Sequence, residues 1–458
     1  MNDITRCGAD NLFSKLMPTF ERLLSLSGNA SGDLAKVEEA LESAMKAIRS
    51  EVVNAALEAS CRLADSDFNC PKCRKRLTGW GSFERNVVTS QGEGSLKVQR
   101  FRCRACKVNF YPLLTLNGLE NTQYTIGARH FIAAESTDAP FARTALRMER
   151  HAIPVSASEV DQISREVGCW RKEEEEAVRS FLVLKGRDLP LPLHDVQSWE
   201  RSLAADAAIV LSVDGAKVRS PVNDGQSLEW FEVRAAAMET TGPNTPKISI
   251  AGVLETDKLF ETLWSQSRQV IRNHKNKMVF VADGGNWIWD RVGHWFPKAI
   301  QVLDIYHAGE HVASAARACW GERSEQAGTW TREARSLLLS TTGVRGLLRQ
   351  LVRQWREGNI ADMAQLRTEF RYLWKHRCRM NYAWLKGRGL PIGSGIIEST
   401  VKQTSTYRLR QAGMMWSKAG ADNMLRLRAA ELSGSLKITI VRQHAICKNR
   451  MSKYAEAV

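Results

Sequence analysis

Long apolar runs are absent from this chain of 458 residues. No stretch approaches the roughly 20 consecutive apolar residues that a helix needs to cross a bilayer. The opening residues, MNDITRCGAD, also lack the charged segment followed by an apolar one that is typical of a secretory signal. The sequence therefore predicts a cytoplasmic protein without a membrane partner.

Cysteine is scarce, and four of the ten cysteines form two close pairs, Cys70-Pro-Lys-Cys73 and Cys103-Arg-Ala-Cys106. Without a secretion signal, this pattern indicates a metal site rather than disulfides. Four thiolates favour Zn²⁺ in a closed structural site. The β-rich residues between the pairs predict a zinc ribbon over 65–115, in which the metal replaces a hydrophobic core.

Acidic residues are nearly missing from two stretches. Cys70–Tyr111 carries ten Lys and Arg against two acids, and Arg371–Arg428 carries twelve against two. Because the whole chain has a net charge of +15, the remainder is slightly acidic. Charge gathered in this way is typical of a surface that binds DNA or RNA. A generally basic soluble protein, the alternative, would spread its charge.

Helical patterns dominate the first part of the chain. Within an N-terminal region at 1–64, residues 33–63 predict one amphipathic helix, which either dimerises as a coiled coil or packs on its own domain. Three short helical patterns within 120–172 predict a helix-turn-helix-like DNA-binding bundle, its last helix capped by serine. The charged and proline-bearing residues 173–205 predict a linker.

Strand patterns follow from residue 206. Three β-rich runs, a helix, a strand, a short helix and a strand match the order of a ribonuclease-H-like fold, a mixed sheet flanked by helices. We assign this catalytic core to 206–307 and 386–435. Residues 308–385 predict an all-helical insertion, and 436–458 a basic C-terminal tail. The predicted fold is a multidomain α/β protein.

Three acidic residues are candidate ligands of Mg²⁺. Asp214 lies within the apolar run LSVDGAKV, Asp283 follows the run MVFVA, and Glu398 lies in the second basic stretch. An aspartate in an apolar strand suffers desolvation unless it is hydrogen-bonded or binds a cation. Carboxylates beside a basic surface are what metal-dependent phosphate chemistry requires. The alternatives are turn-capping aspartates and a surface ion pair between Glu398 and Lys402.

Further candidates surround these three acids. Asp304 is a possible additional metal ligand or a structural hydrogen-bond acceptor, and His307 follows it in VLDIYH. The four-residue spacing of His307 and His311 also occurs in zinc sites, but no general base lies between them. The glycine-rich start of the helix that holds Glu398 favours phosphate binding. Three cations after it are candidates for gripping DNA: Lys402, Arg408 and Arg410.

The motifs CPKC, CRAC, LSVDGAKV, VFVADGG-x-W, LDIYHAGEH, GSGIIESTVKQT and GMMWSKAGADNMLRLRA occur in this order. With these motifs the chain resembles the DDE transposases of bacterial insertion sequences over about 65–435. The resemblance is closest to the ISKra-type family, which is related to the Mutator-like and ISL-type groups. It implies a catalytic triad of Asp214, Asp283 and Glu398, and it places an Asp-x-x-His element on Asp304 and His307.

By this resemblance the protein is an enzyme that cleaves and joins DNA with two Mg²⁺ or Mn²⁺ ions. The implied partners are terminal inverted repeats, target DNA and further copies of the chain, as a dimer or higher oligomer at the nucleoid. The string around Trp416 is expected to contact DNA. Two alternatives stay open: a non-catalytic zinc-ribbon and helix-turn-helix regulator, and a ribonuclease-H-like nuclease or resolvase.

Overall fold

The computed structural model describes residues 13–22, 24–25, 33–60, 68–70, 72–185, 207–221, 229–242, 247–273, 277–358 and 360–455. The chain divides into two compact units, unit 1 (1–170 and 436–458) and unit 2 (171–435). The architecture is mixed α/β with more than one domain, which confirms the predicted class. Over the residues described, no helix combines the length and apolar character that a bilayer crossing requires.

The elements are named in chain order. The first part of the chain forms α1 (Leu34–Ser60), β1 (Thr78–Thr89), β2 (Gly92–Arg102), β3 (Asn109–Phe110), α2 (Pro112–Asn117), α3 (Ile126–Ser136), α4 (Phe141–Arg150) and α5 (Ala157–Lys185). The mixed sheet and its helices follow as β4 (Ile209–Arg219), β5 (Trp230–Thr240), β6 (Ile248–Gly252), α6 (Thr256–Asn273), β7 (Met278–Ala282), α7 (Asn286–Trp295) and β8 (Ile300–Leu303). The rest is helical: α8 (Ile305–Trp320), α9 (Glu325–Leu338), α10 (Gly343–Glu357), α11 (Met363–His376), α12 (Tyr382–Lys386), α13 (Gly395–Val401), a π-helix (Lys402–Thr406), α14 (Tyr407–Leu409), α15 (Lys418–Leu432) and α16 (Leu436–Ala455).

In unit 1 the amphipathic helix α1 packs on its own domain. It lies against β2 of the antiparallel sheet β1-β2-β3, and Asn54 Oδ1 accepts a hydrogen bond of 3.1 Å from the Ser95 N–H. Gly94 makes this approach possible, because a Cβ there would lie 2.6 Å from Leu57 Cδ1. Of the two arrangements that the sequence allowed for this helix, the structure shows the packed one.

Two helices, α5 and α16, differ from the expected boundaries. The serine cap before α5 is present as a capping box, since Ser156 and Glu159 each accept a hydrogen bond from the other's N–H. However, α5 continues to Lys185, well into the expected linker. Residues 436–455, expected as a tail, form helix α16, which packs against α2 and α3. Residues 186–205 of the expected linker lie outside the described residues.

Within the charged segment RKEEEE, three residues are buried rather than solvated: Arg171, Glu174 and Glu175. Glu175 accepts hydrogen bonds from Arg171 Nε (3.1 Å) and from Arg426 of α15, and both arginines are about 1–2% exposed. Arg426 also donates to Asp422 (3.2 Å), whose Oδ1 accepts from the N–H of Val253 (2.9 Å). Because these buried charges compensate one another, a segment that reads as a polar linker is part of the core of unit 2.

Replacing Glu175 with alanine is expected to destabilise unit 2 by about 3–5 kcal/mol, because two buried guanidinium groups lose their shared carboxylate. Chemical denaturation measures this change. Glu173→Ala is the matched control, since Glu173 lies in the same helix but is exposed. Equal unfolding free energies for the two variants would contradict the assignment of this network to the core.

The sheet of unit 2 has the order β6-β5-β4-β7-β8. β5 runs antiparallel to β4 and β6, whereas β4, β7 and β8 are parallel to one another. The near-continuous apolar sequences of β6 and β7 fit this arrangement, because both strands are buried. Between β8 and α13 the described residues form helices and turns with no strand, and then α13 packs back on β4 and β5.

Candidate functional site

The strand register brings three aspartates to one edge of the sheet. On the parallel strands β4 and β7, Leu211 pairs with Phe280. Asp214 follows Leu211 by three residues, and Asp283 follows Phe280 by three residues. Ser212 Oγ extends this alignment by donating to the Val281 carbonyl at 2.5 Å. On β7 and β8, Ala282 pairs with Leu303, and the next residues are Asp283 and Asp304. The carboxyl ends of parallel strands are where such sheets bind ligands.

Each aspartate also has a local structural partner. Asp214 Oδ1 accepts from the Gly215 N–H (2.7 Å), and Asp283 Oδ1 accepts from the Gly285 N–H (2.9 Å). Asp304 caps α8 by accepting from the Tyr306 N–H at 2.9 Å. These bonds fix one oxygen of each carboxylate. The hydrogen bonds of the described residues do not use the second oxygen of Asp214 or Asp283, so the turn-capping role and a ligand role are compatible.

The aspartates are close enough to affect one another's charge. Burial raises the pKa of the Asp214 carboxyl, and the negative charges of Asp283 and Asp304 raise it further. The Gly215 N–H and nearby His307 act in the opposite direction. Ionised carboxylates in this arrangement repel one another, and a bound divalent cation would relieve that repulsion.

Glu398 lies in the first turn of α13 and is exposed. Its N–H donates to the Ser394 carbonyl (3.1 Å), and the Ser394 hydroxyl donates to Asp304 Oδ2. The Ile305 N–H donates to the Ile392 carbonyl at 3.0 Å. These contacts join the start of α13 to the end of β8, so residues distant in sequence are held at one edge of the sheet.

The surface ion pair that the sequence allowed for Glu398 is not formed. Among the ion pairs of the described residues none joins Glu398 to Lys402, whose ammonium lies 5.9 Å from the centre of the Tyr407 ring. Lys402 begins the π-helix, a rare geometry that often occurs at functional sites.

The three expected metal ligands do not converge on one point. Within the described residues, only the four paired cysteines place three or more ligand atoms within 4.8 Å of one another. All three carboxylates therefore cannot hold a single ion in this arrangement. A pair of ions about 3.5–4 Å apart allows the carboxylates to lie farther from one another. Oxygens that bind different ions of such a pair are up to about 8 Å apart.

The predicted DNA-binding residues are not equally accessible. Lys402 and Arg410 are exposed. Arg408 is only 1% exposed, and its guanidinium lies 4.9 Å from the centre of the Trp416 ring. The backbone N–H of Trp416 donates to the Arg219 carbonyl at 2.9 Å. Arg408 therefore differs from the expectation, because in this structure it supports Trp416 instead of presenting its charge to solvent.

Sequence patterns did not reveal that helix α11 contributes a side chain, Tyr372, next to Asp283. The Tyr372 hydroxyl lies beside the turn after Asp283, where a Cβ on Gly284 would come within 1.8 Å of it. The Tyr372 ring stacks on His311 with 3.5 Å between centroids, and His311 Nδ1 lies 2.6 Å from Glu369 Oε2. Burial raises the pKa of Tyr372, as does nearby Asp283, so the phenol stays protonated. No periodic signal links residues so far apart in sequence.

The two histidines that suggested a zinc site each face a carboxylate instead. His307 Nδ1 lies 3.3 Å from Glu310, and His311 is paired with Glu369. Among the described residues no third ligand joins them within metal-binding distance.

The four paired cysteines form a cluster suited to a metal ion. Their sulfur atoms all lie within 4.8 Å of one another, and Cys73 Sγ is 3.5 Å from Cys103 Sγ. The Cys106 N–H donates to Cys103 Sγ (3.3 Å). This bond, together with weaker effects of Cys73 and Cys70, lowers the pKa of the Cys103 thiol to about 7. A thiolate at neutral pH is the form that binds Zn²⁺. The cluster fits the predicted structural zinc.

The two cysteine turns have the same backbone. The Arg74 N–H donates to the Cys70 carbonyl (2.8 Å), and the Lys107 N–H donates to the Cys103 carbonyl (2.9 Å). Arg74 and Lys107, each following the second cysteine of its pair, adopt the left-handed conformation with φ of 56° and 59°. Because such φ values are uncommon for these side chains, the repeated strain indicates that cysteine placement dictates both turns.

Comparison with known proteins does not assign this chain to a family. No protein-family model matches it, and no curated protein matches it. A function has therefore to be inferred from the residues and their geometry.

Proposed function

We propose that this protein is a DDE transposase, which binds the ends of a mobile DNA element and catalyses metal-dependent cleavage and strand transfer. The observation that carries the proposal is the alignment of Asp214, within β4, with Asp283 and Asp304, which directly follow the neighbouring parallel strands β7 and β8. The helix of Glu398 is anchored at the same edge through Ser394. The succession of three strands, helix, strand, helix and strand supports a ribonuclease-H-like core.

The residues present suit a two-metal phosphoryl transfer. Two Mg²⁺ or Mn²⁺ ions, when bound, would activate the attacking hydroxyl and stabilise the leaving oxygen. Asp214 and Asp283 would hold one ion, and Asp214 and Glu398 the other. Asp304 has both oxygens hydrogen-bonded, to Tyr306 and Ser394, so its first role is to position the start of α13.

The charge distribution of unit 1 supports DNA as the partner. Residues 70–83 and 97–111, which form the cysteine end of the ribbon, contain nine Lys and Arg and no acid. Seven of these cations are exposed: Lys72, Arg74, Lys75, Arg76, Lys97, Arg104 and Lys107. The logarithm of DNA affinity falls linearly with the logarithm of the salt concentration. Each phosphate neutralised in duplex DNA makes this slope steeper by about 0.9. On this proposal the protein acts at the nucleoid as an oligomer on DNA.

The test is to incubate the purified protein with DNA that flanks its gene, with and without Mg²⁺, and to map the cuts. Cleavage at defined ends that requires the metal supports a transposase. Binding without cleavage supports the regulator instead. Cutting of branched DNA without preference for those ends supports a nuclease or resolvase.

Stabilisation by Mg²⁺ is expected to depend on pH through Asp214. A raised carboxyl pKa favours the protonated native state, so its contribution to stability is complete below the ordinary value of 3.8 and is lost as pH rises through the raised pKa. Mg²⁺ needs the ionised form and competes with the proton. We therefore expect Mg²⁺ to raise the Tm at neutral pH, by a few degrees at 100-fold excess over Kd, and not near pH 4.

Thermal unfolding with and without Mg²⁺ at both pH values measures this effect. Asp214→Asn is expected to remove the stabilisation, whereas Asp290→Asn, at an exposed position of α7, should retain it. An equal increase in Tm for both variants would show that the ion binds elsewhere.

A further inference from the structure

A cavity of about 400 Å³ opens beside the aspartate cluster, within unit 2. Its size lies within the range of about 300–1,000 Å³ that is usual for sites of small ligands. Its lining is mainly apolar, with contributions from Leu338, Leu339 and Ile392. The lining includes two exposed cations, Arg335 and Lys386, and no acidic residue.

An aromatic ring borders this cavity. The side chain of Tyr306 leaves this residue 74% exposed, while its backbone N–H donates a hydrogen bond to Asp304 Oδ1. One edge of its ring packs on Gly393, where a Cβ would lie 3.3 Å from Tyr306 Cε2. The backbone of the Gly393 loop therefore supports the ring, while the rest of the ring remains open to solvent. Such a ring is suited to stacking on a planar group.

We propose that this cavity receives one unpaired nucleobase of the DNA strand that binds at the proposed metal site of Asp214, Asp283 and Glu398. Tyr306 stacks on the base, and Arg335 and Lys386 neutralise the phosphates next to it. Three features favour a nucleotide over an apolar peptide side chain: the two cations, the absence of acids from the lining, and the bond from Tyr306 to Asp304 at the proposed site of phosphate chemistry. The inference rests on the proposed function and adds a substrate feature to it, a base that has left the helical stack.

Stacking requires an accessible base face, which bases within a duplex do not offer. We therefore expect the protein to prefer duplexes with one unpaired base over fully paired duplexes of the same sequence. Tyr306→Leu is expected to weaken binding of the unpaired-base duplex about 5- to 100-fold, which is the usual effect of losing one base–aromatic contact. Its affinity for fully paired DNA should change by less than about twofold, because phosphate contacts dominate that binding.

The probe is a set of duplexes with one unpaired 2-aminopurine, scanned along the DNA that flanks the gene, and the measurement is fluorescence titration. Tyr306→Phe is the matched control, because it keeps the stacking ring and removes only the hydroxyl. The proposal predicts wild-type preference for Tyr306→Phe and loss of preference for Tyr306→Leu. Thermal unfolding of each variant shows whether unit 2 is intact.

Equal affinities of Tyr306→Leu and wild type for every unpaired-base duplex would overturn the proposal. Equal loss on paired and unpaired DNA would overturn it too, because Tyr306 would then contribute to general binding or to the fold. Since titration needs no cleavage, the outcome is separate from that of the proposed function. A wild-type protein that cuts no DNA refutes the transposase, whereas a cutting protein insensitive to Tyr306→Leu refutes only the base pocket.

Discussion

Asp283→Asn is expected to reduce Mg²⁺-dependent DNA cleavage by at least about a thousandfold, since the metal ions supply several kcal/mol of transition-state stabilisation. Asparagine keeps the Oδ1 atom that accepts the Gly285 N–H at 2.9 Å, so the turn should survive. The substitution removes the negative charge and with it the second ligand oxygen. Cleavage of end DNA under single-turnover conditions measures the loss.

Two controls separate loss of chemistry from loss of fold. Asp290→Asn changes an exposed aspartate seven residues later and should cleave normally. Asp283→Asn should bind end DNA as the wild type does, and its Tm without metal should be equal or higher, because a charge that repels Asp214 is gone. Cleavage by Asp283→Asn at the wild-type rate would refute the metal role assigned to this carboxylate.

Removal of zinc is the second large effect that we expect. Around its cysteines the ribbon has only a small apolar cluster, including Phe68, Leu77 and Phe110, whereas Val87 and Leu96 belong to a separate buried cluster. Structural zinc in finger peptides contributes about 10–16 kcal/mol apparent, more than such a cluster supplies. Chelation, or Cys70→Ser, should therefore unfold the cysteine end of the ribbon. Hydrogen exchange of these residues, together with the zinc content of the protein, measures the change.

The matched control is Cys169→Ser, which replaces an exposed cysteine of the same unit and should leave one zinc per chain. DNA affinity should fall with the zinc, because the exposed cations of the ribbon lose their fixed arrangement. A ribbon that stays protected from exchange after complete chelation would show that its apolar contacts suffice.

Local patterns were good predictors where the cause of structure is local. The spacing of the cysteine pairs predicted the cluster that the structure shows, because a turn of two residues fixes where both sulfurs lie. Alternation and apolar runs predicted the succession of strands and helices in unit 2. Patterns were poor predictors of solvent exposure. Glu175 of RKEEEE and Arg408 look solvated but are buried beside groups distant in sequence.

The sequence alone determined the kinds of chemical group available: paired thiols, isolated carboxylates in or after apolar runs, and cations gathered in two stretches. Tertiary structure decided which of these groups meet. Parallel pairing of β4, β7 and β8 aligned Asp214, Asp283 and Asp304, and helices far along the chain brought Tyr372 and Ser394 to them. The reason is physical: strand register and helix packing depend on contacts across the whole unit, which no short window of sequence contains.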